Sequence, residues 1–178
     1  MMEGVRRVVT THDARGKAVV LMDGMAPNVR RRAATGITST LLWVLDHVPA
    51  RYSGSADFAE VEIGIPPPQH GVVCRVVDFP PVGALDAAAL ERLKRESGLE
   101  QHRKPGEAPR HPFMHQTRSV DFGLILEGEI DMLLDESEVH LRAGDVVVQQ
   151  ATNHAWVNRG SRPCRIAFIL VDGEEIRS

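Results

Sequence analysis

Cysteine is scarce in this chain: Cys74 and Cys164 are the only two, and they lie far apart. That excludes a zinc knuckle or a disulfide framework, and because both sit in apolar, strand-like runs they read as free buried thiols of a reducing cytoplasm. Long apolar runs are also missing. No stretch approaches the roughly 18 uninterrupted apolar residues of a membrane-spanning helix, and the opening Met-Met-Glu-Gly-Val-Arg-Arg has no apolar leader core. The expectation is a cytoplasmic protein with no membrane partner. Charge of one sign is lacking too: 21 Lys and Arg stand against 24 Asp and Glu, a net charge of −3, which gives no field to gather nucleic acid. A helix-turn-helix is absent, because the one helical segment has no partner, so DNA binding is excluded as well. No Ser-His-Asp arrangement, phosphate-cradling loop or dinucleotide fingerprint occurs in a supporting context.

What the chain does have is turns and alternation. Fifteen glycines and eleven prolines punctuate short apolar runs whose period is two, the period of a half-buried strand. Strands are expected at 5–10, 18–22, 39–45, 61–65, 72–79, 120–126, 130–134, 139–141, 145–149, 155–158 and 165–171. The spacing predicts an all-β sandwich or barrel. One segment departs from it: Asp86 as N-cap, Leu90 and Leu93 at helical spacing and Gly98 as a stop predict a short helix over 86–97. The polar, proline-rich stretch after it, to Pro112, reads as a loop across the surface or over a pocket. The basic run Arg30-Arg31-Arg32, beside Pro27 and Gly36, reads as a solvated turn. Residues 1–98 form a strand-rich N-terminal part with the helix, and 99–178 a core barrel. A barrel this short lacks strands for independent stability, so the N-terminal strands extend its sheets or pair across a two-fold axis, and a homodimer is expected.

The chemistry concentrates in two segments. The first runs His115-Gln116-Thr117-Arg118-Ser119-Val120-Asp121 and on to Gly128; the second runs Ala143-Gly144-Asp145 and on to His154, Trp156 and Asn158. Gly128 falls between two strand runs, where a hairpin needs a residue free to take positive φ. Gly144-Asp145 makes a tight turn into the next strand. Alternation places His115 and Thr117 on one strand face, and His154, Trp156 and Asn158 on another.

These segments resemble the two motifs of the cupin superfamily over roughly 112–172. The first family motif has the form G-x5-H-x-H-x3,4-E-x6-G, and the second G-x5-P-x-G-x2-H-x3-N. By this resemblance Thr117 occupies the second histidine position and Asp121 the glutamate position, while Gln149 and Ala151 stand where Pro and Gly are usual. The second motif is one residue short before His154. The resemblance implies a double-stranded β-helix, or jelly-roll, barrel with a lumen into which His115, Asp121 and His154 point as metal ligands. Two imidazoles and a carboxylate suit Fe(II), and they also accept Zn, Mn, Ni or Cu. Asp is a methylene shorter than Glu and falls about 1.5 Å short unless strand or ion shifts. His111, four residues before His115, is a candidate substitute. Thr117, Gln149, Trp156 and Asn158 are the candidate substrate contacts, and no catalytic residue is assigned. The function implied is a small cupin enzyme that uses a divalent metal on an organic acid, phenol or polyketide-like molecule, by oxidation, decarboxylation or isomerisation. The alternative is a metal-free small-molecule-binding barrel, with the two histidines hydrogen-bonded to each other, to Asp121 or to water. His12, His47, His70, His102 and His140 read as solvated.

Overall fold

The computed structural model describes residues 2–52, 54–83, 102 and 109–174. The regular elements among them are strands, all paired antiparallel. They are β1 (Arg6–His12), β2 (Ala18–Met25), β3 (Val29–Arg31), β4 (Thr38–Leu45), β5 (Val72–Phe79), β6 (Ser119–Glu127), β7 (Glu129–Leu133), β8 (Glu138–Arg142), β9 (Val146–Gln150), β10 (Ala155–Val157) and β11 (Cys164–Asp172). The expected all-β class is what the chain adopts. The helix expected over 86–97 lies outside the described residues.

A six-stranded sheet runs in the order β3-β4-β5-β11-β6-β9, facing a three-stranded sheet, β10-β7-β8, while β1 and β2 form a separate hairpin. The two larger sheets pack as a double-sheet jelly roll rather than a continuously bonded cylinder. Period two decides what lies between them. On β11, Cys164, Ile166, Phe168 and Leu170 are buried; on β6, Ser119, Asp121 and Ile125 are. Ile130, Met132, Leu141 and Trp156 of the smaller sheet complete the same apolar cluster. Each such side chain, fully buried, contributes about 1.5–3 kcal/mol. Both cysteines are unpaired, and burial pushes the Cys164 thiol up to about 12, which makes it inert.

Two expectations need correction. Residues 61–65 form no strand, because their carbonyls are taken by side chains: Asn28 Nδ2 donates to Val61 O at 3.0 Å, and Arg75 Nη2 to Gly64 O at 2.9 Å. Arg30 and Arg31 are not a solvated turn but part of β3, paired with Ser39 and Thr38 on β4. Three consecutive arginines hid a strand whose pattern carries no apolar alternation.

Turn chemistry matches the glycines closely. Gly128 has φ +79°, and a Cβ there would stand 2.6 Å from Pro163 O. Ala151 takes φ +50°, in a region that costs an L-residue about 1–2 kcal/mol. Ala151→Gly is therefore expected to stabilise the protein by about 1 kcal/mol, a melting temperature higher by about 2–4 °C in calorimetry. An unchanged or lower midpoint would show that the turn carries no such strain.

Arg7 fastens the β1-β2 hairpin to the rest. Its guanidinium donates to both oxygens of Asp57 and to Leu42 O at 3.0 Å, 6.0 Å from the Trp43 ring centre.

Candidate functional site

Just before β6 and β10, His115 and His154 pair with each other through the backbone. The His115 N–H donates to His154 O and the His154 N–H to His115 O, both at 2.9 Å. This reciprocal bridge sets the two Cα atoms opposite one another, and the rings lie 4.4 Å apart, centre to centre. Each ring is fixed by the same local device. His115 Nδ1 is 2.9 Å from Phe113 O, and His154 Nδ1 is 2.9 Å from Thr152 O. A carbonyl only accepts, so Nδ1 carries the proton and Nε2 keeps the lone pair. Burial holds both imidazoles neutral: it lowers the pKa of His154 and, helped by His154 itself, pushes His115 down to about 3.

The pair opens onto a cavity of about 740 Å³ between the sheets. Thr117, Asp121 and Trp156 line it alongside the histidines, as do Arg75 of β5, Phe168 of β11 and the Arg30 to Arg32 run. Thr117 Oγ1 and Ser119 Oγ are hydrogen-bonded at 2.9 Å, next to Asp121 on the inward face of β6. Asp121 Oδ1 is buried without a partner. Burial raises the Asp121 pKa, against the opposing pull of Ser119 and Arg75.

Residues 99–171 match the family model of the cupin domain. That match assigns residues 99–171 to the cupin superfamily. Curated cupin relatives align over nearly its whole length. A cupin-domain-containing oxidoreductase, fogC of Aspergillus ruber, is 28% identical and covers 97% of this chain and 74% of its own. The oryzines biosynthesis cluster protein J of Aspergillus oryzae is 28% identical over 97% of this chain and 85% of its own. A 65-residue stretch is 45% identical to the phomopsin biosynthesis cluster protein C' of Diaporthe leptostromiformis, covering 35% of this chain and 34% of that one. Among solved structures, the cupin domain of Schizosaccharomyces pombe Cnp3 superposes with a TM-score of 0.45 at 9% identity, over 94% of this chain and 87% of its own.

Of the residues singled out in this cupin's motifs, His115, Thr117, Asp121, His154 and Trp156 reach the cavity. Gln149 and Asn158 do not line it. Gln149, 3% exposed, sits behind His154, with Nε2 donating to Thr152 O at 2.8 Å and lying 3.0 Å from His154 Nδ1. Asn158 is spent on structure, donating to Phe79 O and Arg162 O at 2.8 Å and accepting from Gly160 N–H at 2.9 Å. His111 stays in its turn, its Nδ1 accepting from Phe113 N–H at 3.3 Å and its ring packed edge-on against Phe113. Among the described residues no three His, Cys, Asp or Glu side chains stand together as a metal-binding group. The donor set nevertheless suits a divalent metal in kind: two neutral imidazoles with their second nitrogens anchored, and an orphaned carboxylate oxygen in the same cavity.

Sequence reasoning missed Arg75, Ser119 and His102. Arg75 was legible: Val73, Arg75, Val77 and Phe79 share the inward face of β5, and an arginine on such a face is a signal. His102 was not legible as more than a surface residue. Its carbonyl accepts from Gln116 N–H at 2.6 Å, beside His115.

Proposed function

We propose that this cupin is a small enzyme that uses a divalent metal in the lumen of its barrel to act on an oxygen-bearing small molecule, an organic acid, phenol or polyketide-like compound. The observation that carries the reading is the His115–His154 pair, with both Nδ1 atoms committed to carbonyls and both Nε2 lone pairs left for an occupant of the cavity. His115 and His154 would hold the metal, with Asp121 as the third donor. A metal there supplies Lewis acidity or, as iron, the means to activate dioxygen. The chain's own residues do the rest. The Thr152 carbonyl holds the His154 ring in one tautomer, and Gln149 Nε2, donating to the same carbonyl, fixes that carbonyl in place. The buried, unpartnered Oδ1 of Asp121 is the oxygen left for that third bond. Trp156 and Phe168 keep water from the substrate's apolar body. Among oxidation, decarboxylation and isomerisation, the names of the curated relatives support oxidoreduction.

The second reading is a metal-free binding barrel. It is favoured by Thr117, whose hydroxyl bonds Ser119 where the family pattern has a histidine. Elemental analysis of tag-free protein, before and after anaerobic loading with Fe(II), separates the two. About one metal per chain supports the enzyme; none after loading moves the function to metal-free binding.

Residues 1–98 and 99–178 are proposed as one folded unit, since β5 pairs with β11 along its whole length. A homodimer is proposed as well. Its support is the apolar outer face of the large sheet, where Phe122, Val146, Val148 and Ile169 are exposed.

A further inference from the structure

Arg75 is a cation placed where a cation is expensive. Its Nη2 donates to Gly64 O and Ile65 O, while its buried Nε has no partner. It forms no ion pair among the described residues. Among the described residues the one carboxylate lining the cavity, Asp121, acts on it only at a distance. Burial, with Arg32 near enough to oppose its charge, brings the Arg75 pKa down to about 10. Arg75 therefore remains protonated at neutral pH. A half-buried guanidinium with no ion pair among the described residues, lining a cavity together with a second arginine, is under-compensated. The remaining walls near it are apolar, from Val77, Phe168 and Leu170.

We propose that Arg75 is the anchor for a carboxylate on the substrate, so that the cavity selects an organic acid with an apolar body. This rests on the cavity being the active site, and narrows its substrate class to anions. A carboxylate entering the cavity supplies Arg75 with the counter-charge that its two carbonyl partners do not. A guanidinium edge matches a carboxylate in shape, which an ammonium does not. A carboxylate at Arg75 leaves the rest of the molecule in the apolar cavity that His115 and His154 also line.

The test uses 1-naphthoate and its neutral counterpart 1-naphthamide as probes, with calorimetric titration of the wild type, Arg75→Gln and Arg75→Lys. The wild type is expected to prefer naphthoate by about tenfold or more. In Arg75→Gln the two probes should bind alike, with naphthamide unchanged from wild type, which shows that fold and cavity survive. Arg75→Lys should keep part of the preference. Equal binding of both probes to the wild type, binding of neither, or a preference that persists in Arg75→Gln overturns the proposal. Repeating the titration on protein stripped of metal distinguishes this failure from that of the metal reading. A preference lost on stripping but kept in Arg75→Gln assigns the anion to the metal. A preference kept on stripping and lost in Arg75→Gln assigns it to Arg75, whatever elemental analysis finds.

Discussion

Replacing His154 by alanine is expected to abolish metal retention, and His115→Ala to do the same, while His111→Ala leaves it intact. The argument rests on tautomers. Each of the first two rings offers one lone-pair nitrogen because the other is held by a carbonyl at 2.9 Å, whereas His111 Nδ1 accepts from Phe113 N–H and the ring is stacked away. Gln149→Leu should give an intermediate result. It removes the amide that donates to the Thr152 carbonyl, the acceptor that orients the His154 ring, without touching a metal donor, and loss of such a supporting contact lowers metal affinity by about 10–100-fold. Elemental analysis of the four variants after identical loading and desalting gives the series. Metal retained by His154→Ala at the wild-type level would refute the site assignment.

Arg7→Ala is expected to be the most damaging substitution outside the cavity. Arg7 and Asp57 expose only 9% and 10% of their side chains, and the guanidinium also caps Leu42 O. Removing it strands a buried carboxylate, a loss of about 3–5 kcal/mol, or about 10 °C in melting temperature for a chain of this size. The neighbouring Arg6 makes an equally well-formed pair with Asp23, at 2.7 Å, on the exposed face of the same hairpin. There water competes, and Arg6→Ala should leave the midpoint unmoved. Acidity provides a second check. The hydrogen bonds from Arg7 hold the Asp57 carboxyl below its ordinary pKa. The pair's contribution is therefore complete above the ordinary carboxylate range and fades as the pH falls through the lowered value. The gap between wild type and Arg7→Ala should narrow in acid, and a gap constant with pH would mean that packing alone sets the loss.

Strands with one apolar face were legible because burial enforces the period: β5, β6 and β11 fall within a residue or two of their expected bounds. Strand β3 was illegible for the opposite reason, since all three of its residues are exposed and no buried apolar residue marks it. Segment 61–65 misled because Ile63 and Ile65 are packed while two of its carbonyls are satisfied by side chains. The site divides in the same way. His115 and His154 were legible through motif spacing, but their mutual backbone bridge was not, because it joins residues distant in sequence. Asn158 shares its motif with His154, yet the turn to Gly160 and Arg162 claims its amide. Sequence gives a side chain's strand face; only the tertiary fold shows which of its hydrogen bonds are already taken.

Strand β11 lies between β5 and β6 in the large sheet, though it follows both in sequence. As a ribosome releases the chain, β5 and β6 emerge with their facing edges unpaired and wait for β11. For β5 the wait spans on the order of ninety residues, a separation that slows folding and leaves strand edges open to wrong partners. Arg75 stands on β5 and Asp121 on β6, so the arrival of β11 also brings the two halves of the cavity wall into register. Completion of the fold and assembly of the site are then one event, and a chain arrested before Cys164 would carry both motifs without a working cavity.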